Sequence, residues 1–362
     1  MSDEMIDKWQ RANNLTFVDR QAAIFIFDNV YINQHFNIFQ DHFMFPIGYS
    51  DLMFWHGKPI EEKIGRIIIA NPTSDNYYHC LIEQASRLMI INDQLMSHPQ
   101  YSDVNILIDR SPFVEMVIDL LGLNRSRVIW QEYPKMYHAS QVIALNWQMH
   151  EDDNDASIQR FMPPKWMLLE LRKRILNNDR VKSAIDLYDR HNQLAYNNQS
   201  IILYMHRTGK SRFVDEDKWL IWKMRHLIDT LNNNNQTENE SQSQSQSKEK
   251  RWRLVIHKGN EAIESQIAMF HSARIVIGPH GAATTNTLFC KPSTHMIEFP
   301  EVQHRGETTN YIAASVGLEY WITPHVWSTN WGFYKTDRWK LDSIIHTLNH
   351  VIHQFYLDIN HS

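Results

Sequence analysis

Short apolar runs that stop at Gly, Pro or Asn alternate along this chain with amphipathic stretches of helical period, and that alternation leaves few folds open. Ile64 to Ala70 is one such run, ending at Asn71-Pro72, and Asn105 to Ile108 and Arg127 to Trp130 follow. Between them Asp75 can cap a helix from Asn76 to about Asp93, while Ser111-Pro112 opens a helix that Gly122 ends. This β-α-β-α-β order predicts a parallel sheet with helices on both faces. Ahead of it, Ala22 to Phe27 and Val30 to Ile32 flank Asp28-Asn29 as the arms of a hairpin.

A second series repeats the pattern. Strands are expected over Ile201 to His206, Trp252 to His257, Arg274 to Gly278 and His295 to Phe299, with helices over Glu216 to Leu231, Ser265 to His271 and Ala282 to Phe289. The expected fold is therefore α/β, with two Rossmann-like domains facing a cleft. The boundaries are 1–198 for the first domain, 199–340 for the second and 341–362 for a terminal helix. Doubly wound sheets bind ligands at the carboxyl ends of their strands, so the cleft is the expected site. The tract 232–250, an Asn run followed by alternating Ser and Gln, is too polar to offset its ordering entropy and reads as a disordered surface insertion.

Composition narrows the function. The net charge of −5 argues against nucleic-acid partners, which call for a basic field. Two cysteines, Cys80 and Cys290, exclude a disulfide scaffold and a Cys-based zinc module. No apolar stretch approaches the ~18 residues of a membrane span, and the first residues are polar, so the expectation is a soluble, cytoplasmic protein of a reducing compartment. His346, His350 and His353 share one helical face, but the apolar residues Ile344, Leu348, Val351, Ile352 and Phe355 lie largely opposite, so a solvated face is expected there and no metal site.

Three segments carry chemistry. An apolar strand from Arg274 runs into Gly278-Pro279-His280-Gly281 and then a small-residue helix through Asn286. Glycine allows close backbone approach, and a helix start presents unpaired amides to an anion such as a diphosphate. A tight βα turn without a ligand would read the same way. A second strand delivers Arg207, with Lys210 and Arg212 close behind, and Arg offers a planar bidentate donor to phosphate. In the third, Asn76, His79, Glu83 and Arg87 fall on one helical stripe, which would equally suit a solvated face of i,i+4 ion pairs.

Taken in this order and spacing, the three segments resemble glycosyltransferase family 61. The matching positions are Asn76, His79, Glu83 and Arg87; Arg207, Arg212 and Asp215-Glu216; and Ala273, Gly278, His280, Gly281, Ala282, Asn286, Glu298 and Pro300. Ser265-Gln266 stands where the family has Glu-Gln, and Ala283-Thr284 where relatives often carry Gly-Leu. The resemblance implies a GT-B architecture, with the terminal helix packing across the two domains. It also implies transfer, with inversion, from a nucleotide sugar to a hydroxyl of a glycan or glycoprotein acceptor. UDP-GlcNAc and UDP-xylose are both compatible donors, and no cofactor or metal is implied.

Without a metal the leaving diphosphate needs Arg and helix-terminal amides. Arg207, Arg212 and the turn His280-Gly281-Ala282 fit that role. Asn286 belongs to the same donor-side motif, and Glu298 could accept from ribose hydroxyls. Glu83 or His79 is the base or orients it, with Asp75 in reserve, and the residue pattern does not choose among them. The alternative is a catalytically silent nucleotide- or glycan-binding protein on the same fold.

Overall fold

The computed structural model describes residues 22–33, 36–40, 43–45, 61–70, 76–132, 135–147, 162–197, 199–207, 214, 217–239, 251–299, 307–323 and 338–360. These residues divide between Asn178 and Asp179 into two compact units.

The first unit is built on a seven-stranded sheet in the order β3-β2-β1-β7-β4-β5-β6. Its strands are β1 (Ala22–Ile32), β2 (Ile38–Gln40), β3 (Phe43–Phe45), β4 (Glu61–Ile69), β5 (Asn105–Ile108), β6 (Val128–Trp130) and β7 (Met136–Trp147). From β7 to β6 the pairing is parallel, whereas β1 pairs antiparallel with β7. Helices α1 (Ala85–Ile91), α2 (Pro112–Leu121) and α3 (Lys165–Leu176) belong to this unit. The capping expected for α2 is present. Ser111 Oγ accepts from Val114 N at 3.2 Å, and Gly122 closes the helix in the left-handed region at φ 67°. The core gathers Val30, Ile32, Ile67, Ile69, Leu107 and Val142.

Two local expectations change here. Asp28-Asn29 forms no hairpin turn, and β1 runs straight through it in unbroken register with β7. Both polar side chains find partners on β7: Gln141 Nε2 donates to Asp28 Oδ1 at 2.7 Å, and His138 Nε2 bonds Asn29 Oδ1 at 2.9 Å. Asn29 takes φ 55°, which Asn tolerates better than most residues. The long central strand β7 has no counterpart in the sequence reading, because His138, Ser140 and Gln141 interrupt its apolar pattern.

The second unit carries a five-stranded, all-parallel sheet in the order β12-β11-β10-β8-β9. Its strands are β8 (Ser200–Met205), β9 (Trp252–His257), β10 (Ala273–Pro279), β11 (His295–Phe299) and β12 (Glu319–Ile322). Helices are α4 (Asp179–Tyr196), α5 (Asp217–Asn239), α6 (Ile263–Ser272), α7 (Glu307–Val316) and α8 (Arg338–Asn360), with a 3₁₀ helix over Ala282–Phe289. Helix α4 packs on α6 and so sits with this unit, although the sequence reading assigned residues up to 198 to the first domain. An amphipathic helix does not encode which neighbour its apolar stripe will meet.

Helices α5 and α8 cover one face of this sheet. Leu220, Met224 and Ile228 from α5 and Leu341, Ile344, Leu348, Val351, Ile352 and Phe355 from α8 join Ile202, Tyr204, Ile275, Ile277 and Ile297 in one core. His346 and His353 point away from it, exposed, and His350 sits edge-on to Trp321 at 5.9 Å. Residues 232–239, the first part of the polar tract expected to be disordered, continue α5. Asn232 accounts for this. Its Oδ1 accepts from Trp252 N at 2.9 Å and its Nδ2 donates to Trp252 O at 3.0 Å, tying the helix to the start of β9. Residues 240–250 lie outside the described residues. No helix among the described residues is long and apolar enough to cross a membrane.

At the end of β9, His257 is buried and neither ring nitrogen has a hydrogen-bond partner of good geometry, although Nδ1 lies 3.1 Å from Glu261 Oε2. Burial pushes the His257 pKa down, against an opposing pull from Glu261. The unfolded chain, with His near its ordinary ~6.5, therefore takes up a proton before the folded one does. Stability should fall as pH drops through about 6.5. Melting temperatures measured against pH should fall less steeply for His257→Gln than for the wild type; parallel curves would contradict this.

Candidate active site

Strand order places the donor-side residues. From β8 the chain moves outward to β9, then crosses back over β8 to β10, so the winding reverses between β8 and β10. Right-handed crossovers in opposite directions put their helices on opposite faces, which opens a hollow at the carboxyl ends of these two strands. Arg207 follows β8 directly and His280-Gly281 follows β10.

The two ends meet. Arg207 Nη1 donates to His280 O at 3.0 Å. Gly281 adopts φ 155°, and a Cβ at this position would lie 1.8 Å from Arg207 Nη1 and 2.8 Å from Cζ. The guanidinium therefore fills the space that any side chain at 281 would need. Gly278 has a similar reason one turn earlier, since a Cβ there would come within 2.8 Å of Met205 Cβ and 3.0 Å of Met205 O. The 3₁₀ helix then begins at Ala282, and the first amides of such a helix have no intrahelical acceptor. His280's own amide is committed to Phe299 O at 2.9 Å, and the amides of Gly281 and Ala282 follow it beside the guanidinium. Arg212 lies outside the described residues.

Two other predicted residues turn out to work behind this turn. Asn286 is fully buried, and its Nδ2 donates to Gln266 Oε1 at 3.1 Å, while Gln266 Nε2 donates to Glu261 O at 2.8 Å. Asn286 thus ties the 3₁₀ helix to α6. Glu298, expected to reach ribose, is also fully buried. Its Oε1 meets His280 Nδ1 at 2.7 Å and accepts from Thr309 Oγ1 at 2.7 Å, and its Oε2 accepts from Tyr320 Oη. The carboxylate is enclosed by these three contacts and holds the His280 ring. Thr309 and Tyr320 lie on α7 and β12, elements the sequence reading did not identify, and no motif marks them. A third pairing lies one strand end away: His206 Nδ1 is 2.8 Å from Asp217 Oδ2, and Tyr204 Oη donates to Asp217 Oδ1.

In the first unit the corresponding reversal falls at β4 and β7, since the chain passes from β4 through β5 to β6 before returning to β7 on β4's other side. The helical segment after β4 opens at Asn76, whose Oδ1 accepts from Tyr78 N at 2.9 Å. Asn76 thereby supplies the capping bond expected of Asp75, and Asp75 itself lies outside the described residues. His79–Gln84 is π-helical and leads into α1. Such turns are rare and recur at functional sites. His79 Nδ1 meets Glu83 Oε1 at 2.8 Å, with the histidine side chain 18% exposed and the glutamate 1%. A buried carboxylate on Nδ1 fixes the orientation of the ring. Arg87 is buried and donates from Nε to Leu145 O of β7 at 3.0 Å, so it anchors the helix to the sheet. The stripe seen in the sequence thus separates into a cap, a basic ring, its carboxylate and an anchor.

The family model for glycosyltransferase 61 matches residues 77–297. No curated protein matches the chain.

The close approach at Gly281 gives a test. Gly281→Ala displaces the guanidinium and should weaken binding of inorganic diphosphate by about tenfold, the worth of one charge-assisted hydrogen bond, as Arg207→Ala should. Combining the two changes should cost no more than either alone, since they act on one contact. Calorimetry on the three variants decides it, and additive losses would separate the residues.

Proposed function

Because the chain belongs to glycosyltransferase family 61, a match that spans the segments bearing His79, Arg207 and His280, we propose that it is an inverting, metal-independent enzyme that moves a sugar from a nucleotide-sugar donor to a hydroxyl of a glycan or protein acceptor. The two units would be the halves of a GT-B enzyme, with a UDP-sugar such as UDP-GlcNAc or UDP-xylose as donor. The observation that carries the reading is the contact of Arg207 with the His280-Gly281 turn at the strand reversal of a parallel sheet. That arrangement suits a diphosphate, which takes bidentate donors and backbone amides together.

In this reading His79 Nε2 removes the acceptor proton, and Glu83 holds the ring by Nδ1 and stabilises the imidazolium that forms. Glu83 itself is too buried to meet an acceptor. The acceptor oxygen attacks the anomeric carbon in line, and the carbon–oxygen bond to the diphosphate breaks with its electron pair. Arg207 and the amides of Gly281 and Ala282 receive the developing charge, with Arg212 as a second cation. Glu298 and Asn286 shape the donor side from behind. A reducing, cytoplasmic setting is part of the reading, supported by Cys80 and Cys290, which are both buried as thiols.

His79→Gln should lower transfer by at least about a hundredfold, the usual contribution of a general base, while UDP affinity stays at the wild-type value. Arg207→Ala should lower both. Release of nucleoside diphosphate from a panel of UDP-sugars with glycan acceptors, beside UDP calorimetry, separates the two. Full turnover by His79→Gln would remove His79 from the role of base.

A further inference from the structure

Behind the glycine turn lies a group of buried polar side chains around Glu298. Glu298 is 0% exposed, Thr309 0%, Tyr320 6% and His280 8%. Burying a carboxylate is costly, and an apolar set of the same volume would pack this space without that penalty. The hydrogen bonds here all converge on one point. Tyr320 Oη and Thr309 Oγ1 donate to the two carboxylate oxygens, and the remaining contact is His280 Nδ1. An ionised carboxylate only accepts, so His280 carries a proton on Nδ1. At the glycine turn Thr284 Oγ1 donates to Gly281 O at 2.8 Å, and the Thr309 hydroxyl packs beside it at 3.0 Å. Meanwhile Arg207 holds the His280 carbonyl. Ring, guanidinium and turn are thus fixed against one another from two sides.

We infer that Glu298, seated by Thr309 and Tyr320, is a positioning residue that holds the His280 ring, and with it the glycine turn, in place for the leaving diphosphate. The inference rests on the glycosyltransferase reading and deepens its donor site. With the ring held by the carboxylate and the His280 carbonyl held by Arg207, the amides of Gly281 and Ala282 keep their place for a β-phosphate oxygen. As the bond from the anomeric carbon to the bridging oxygen breaks, its electron pair passes to the diphosphate. Arg207 and the turn amides receive that charge, while the acceptor's own proton goes to His79. Thr284 supplies the hydroxyl that holds the Gly281 carbonyl of the turn.

The test compares UDP with UMP, which lacks the β-phosphate. E298Q keeps the size of the side chain and removes its charge. It should melt within a few degrees of the wild type and bind UDP about tenfold more weakly, the worth of one charge-assisted hydrogen bond, with UMP affinity unchanged. Y320F and T309V, which each remove one support, should lose about threefold for UDP by the same measure, again with UMP unchanged. If E298Q fails to fold, Y320F carries the comparison. Wild-type UDP affinity in folded E298Q would overturn the inference and leave the glycosyltransferase reading standing, and so would equal losses for UDP and UMP, which mark a structural role. A wild type that binds neither UDP nor inorganic diphosphate would overturn both.

Discussion

The contact between Arg207 and the His280-Gly281 turn organises the second unit. It requires a parallel sheet in which β8 and β10 are neighbours although β9 intervenes in sequence. It requires a glycine at 281, because the guanidinium occupies the volume of a side chain. It requires Gly278 as well, because β10 approaches Met205 too closely for a Cβ. Each constraint is steric and local, but they meet only because the winding of the sheet reverses at this place. The same reversal makes the carboxyl ends of doubly wound sheets the common place for ligands.

Histidine with a buried carboxylate on Nδ1 recurs in both units. His79 has Glu83 on a π-helical turn of the first unit, and His280 has Glu298 behind the glycine turn of the second. In each pair the carboxylate is nearly or fully withdrawn from solvent and the ring is the more exposed partner. That geometry fixes the orientation of each ring. Roles that look interchangeable along a helix, a glutamate and a histidine four residues apart, are therefore separated by depth. His257 shows the contrast. It is buried against Phe270 without well-formed hydrogen bonds, and its pKa is held down by burial.

Elements with a strong local signal were legible in advance. The apolar runs of β5, β6, β9 and β11, the Ser111 cap and Gly122 stop of α2, and the glycine turn all stand where local chemistry puts them. Elements that depend on partners were not. Asp28-Asn29 has the composition of a turn, yet β7 offers Gln141 and His138 and draws it into a strand. The Asn run after Leu231 has the composition of a loop, yet Asn232 meets the backbone of Trp252 and the helix continues. Strand β7 itself hides behind polar residues that face its neighbours.

The amino-acid sequence by itself determined the α/β class, the family and the residue types needed at the turn, because spacing, glycine and apolar periodicity are properties of the chain alone. Tertiary structure decided which polar residues face outward and which stand behind. Glu298, Asn286 and Arg87 sit in motifs beside His280 and His79, but only packing withdrew them from solvent and gave them partners on other elements. Thr309 and Tyr320 reach Glu298 across three elements of the fold. The physical reason is burial: a carboxylate, an amide or a guanidinium looks the same in sequence whether it meets water or a neighbour, and only the fold sets which one it meets.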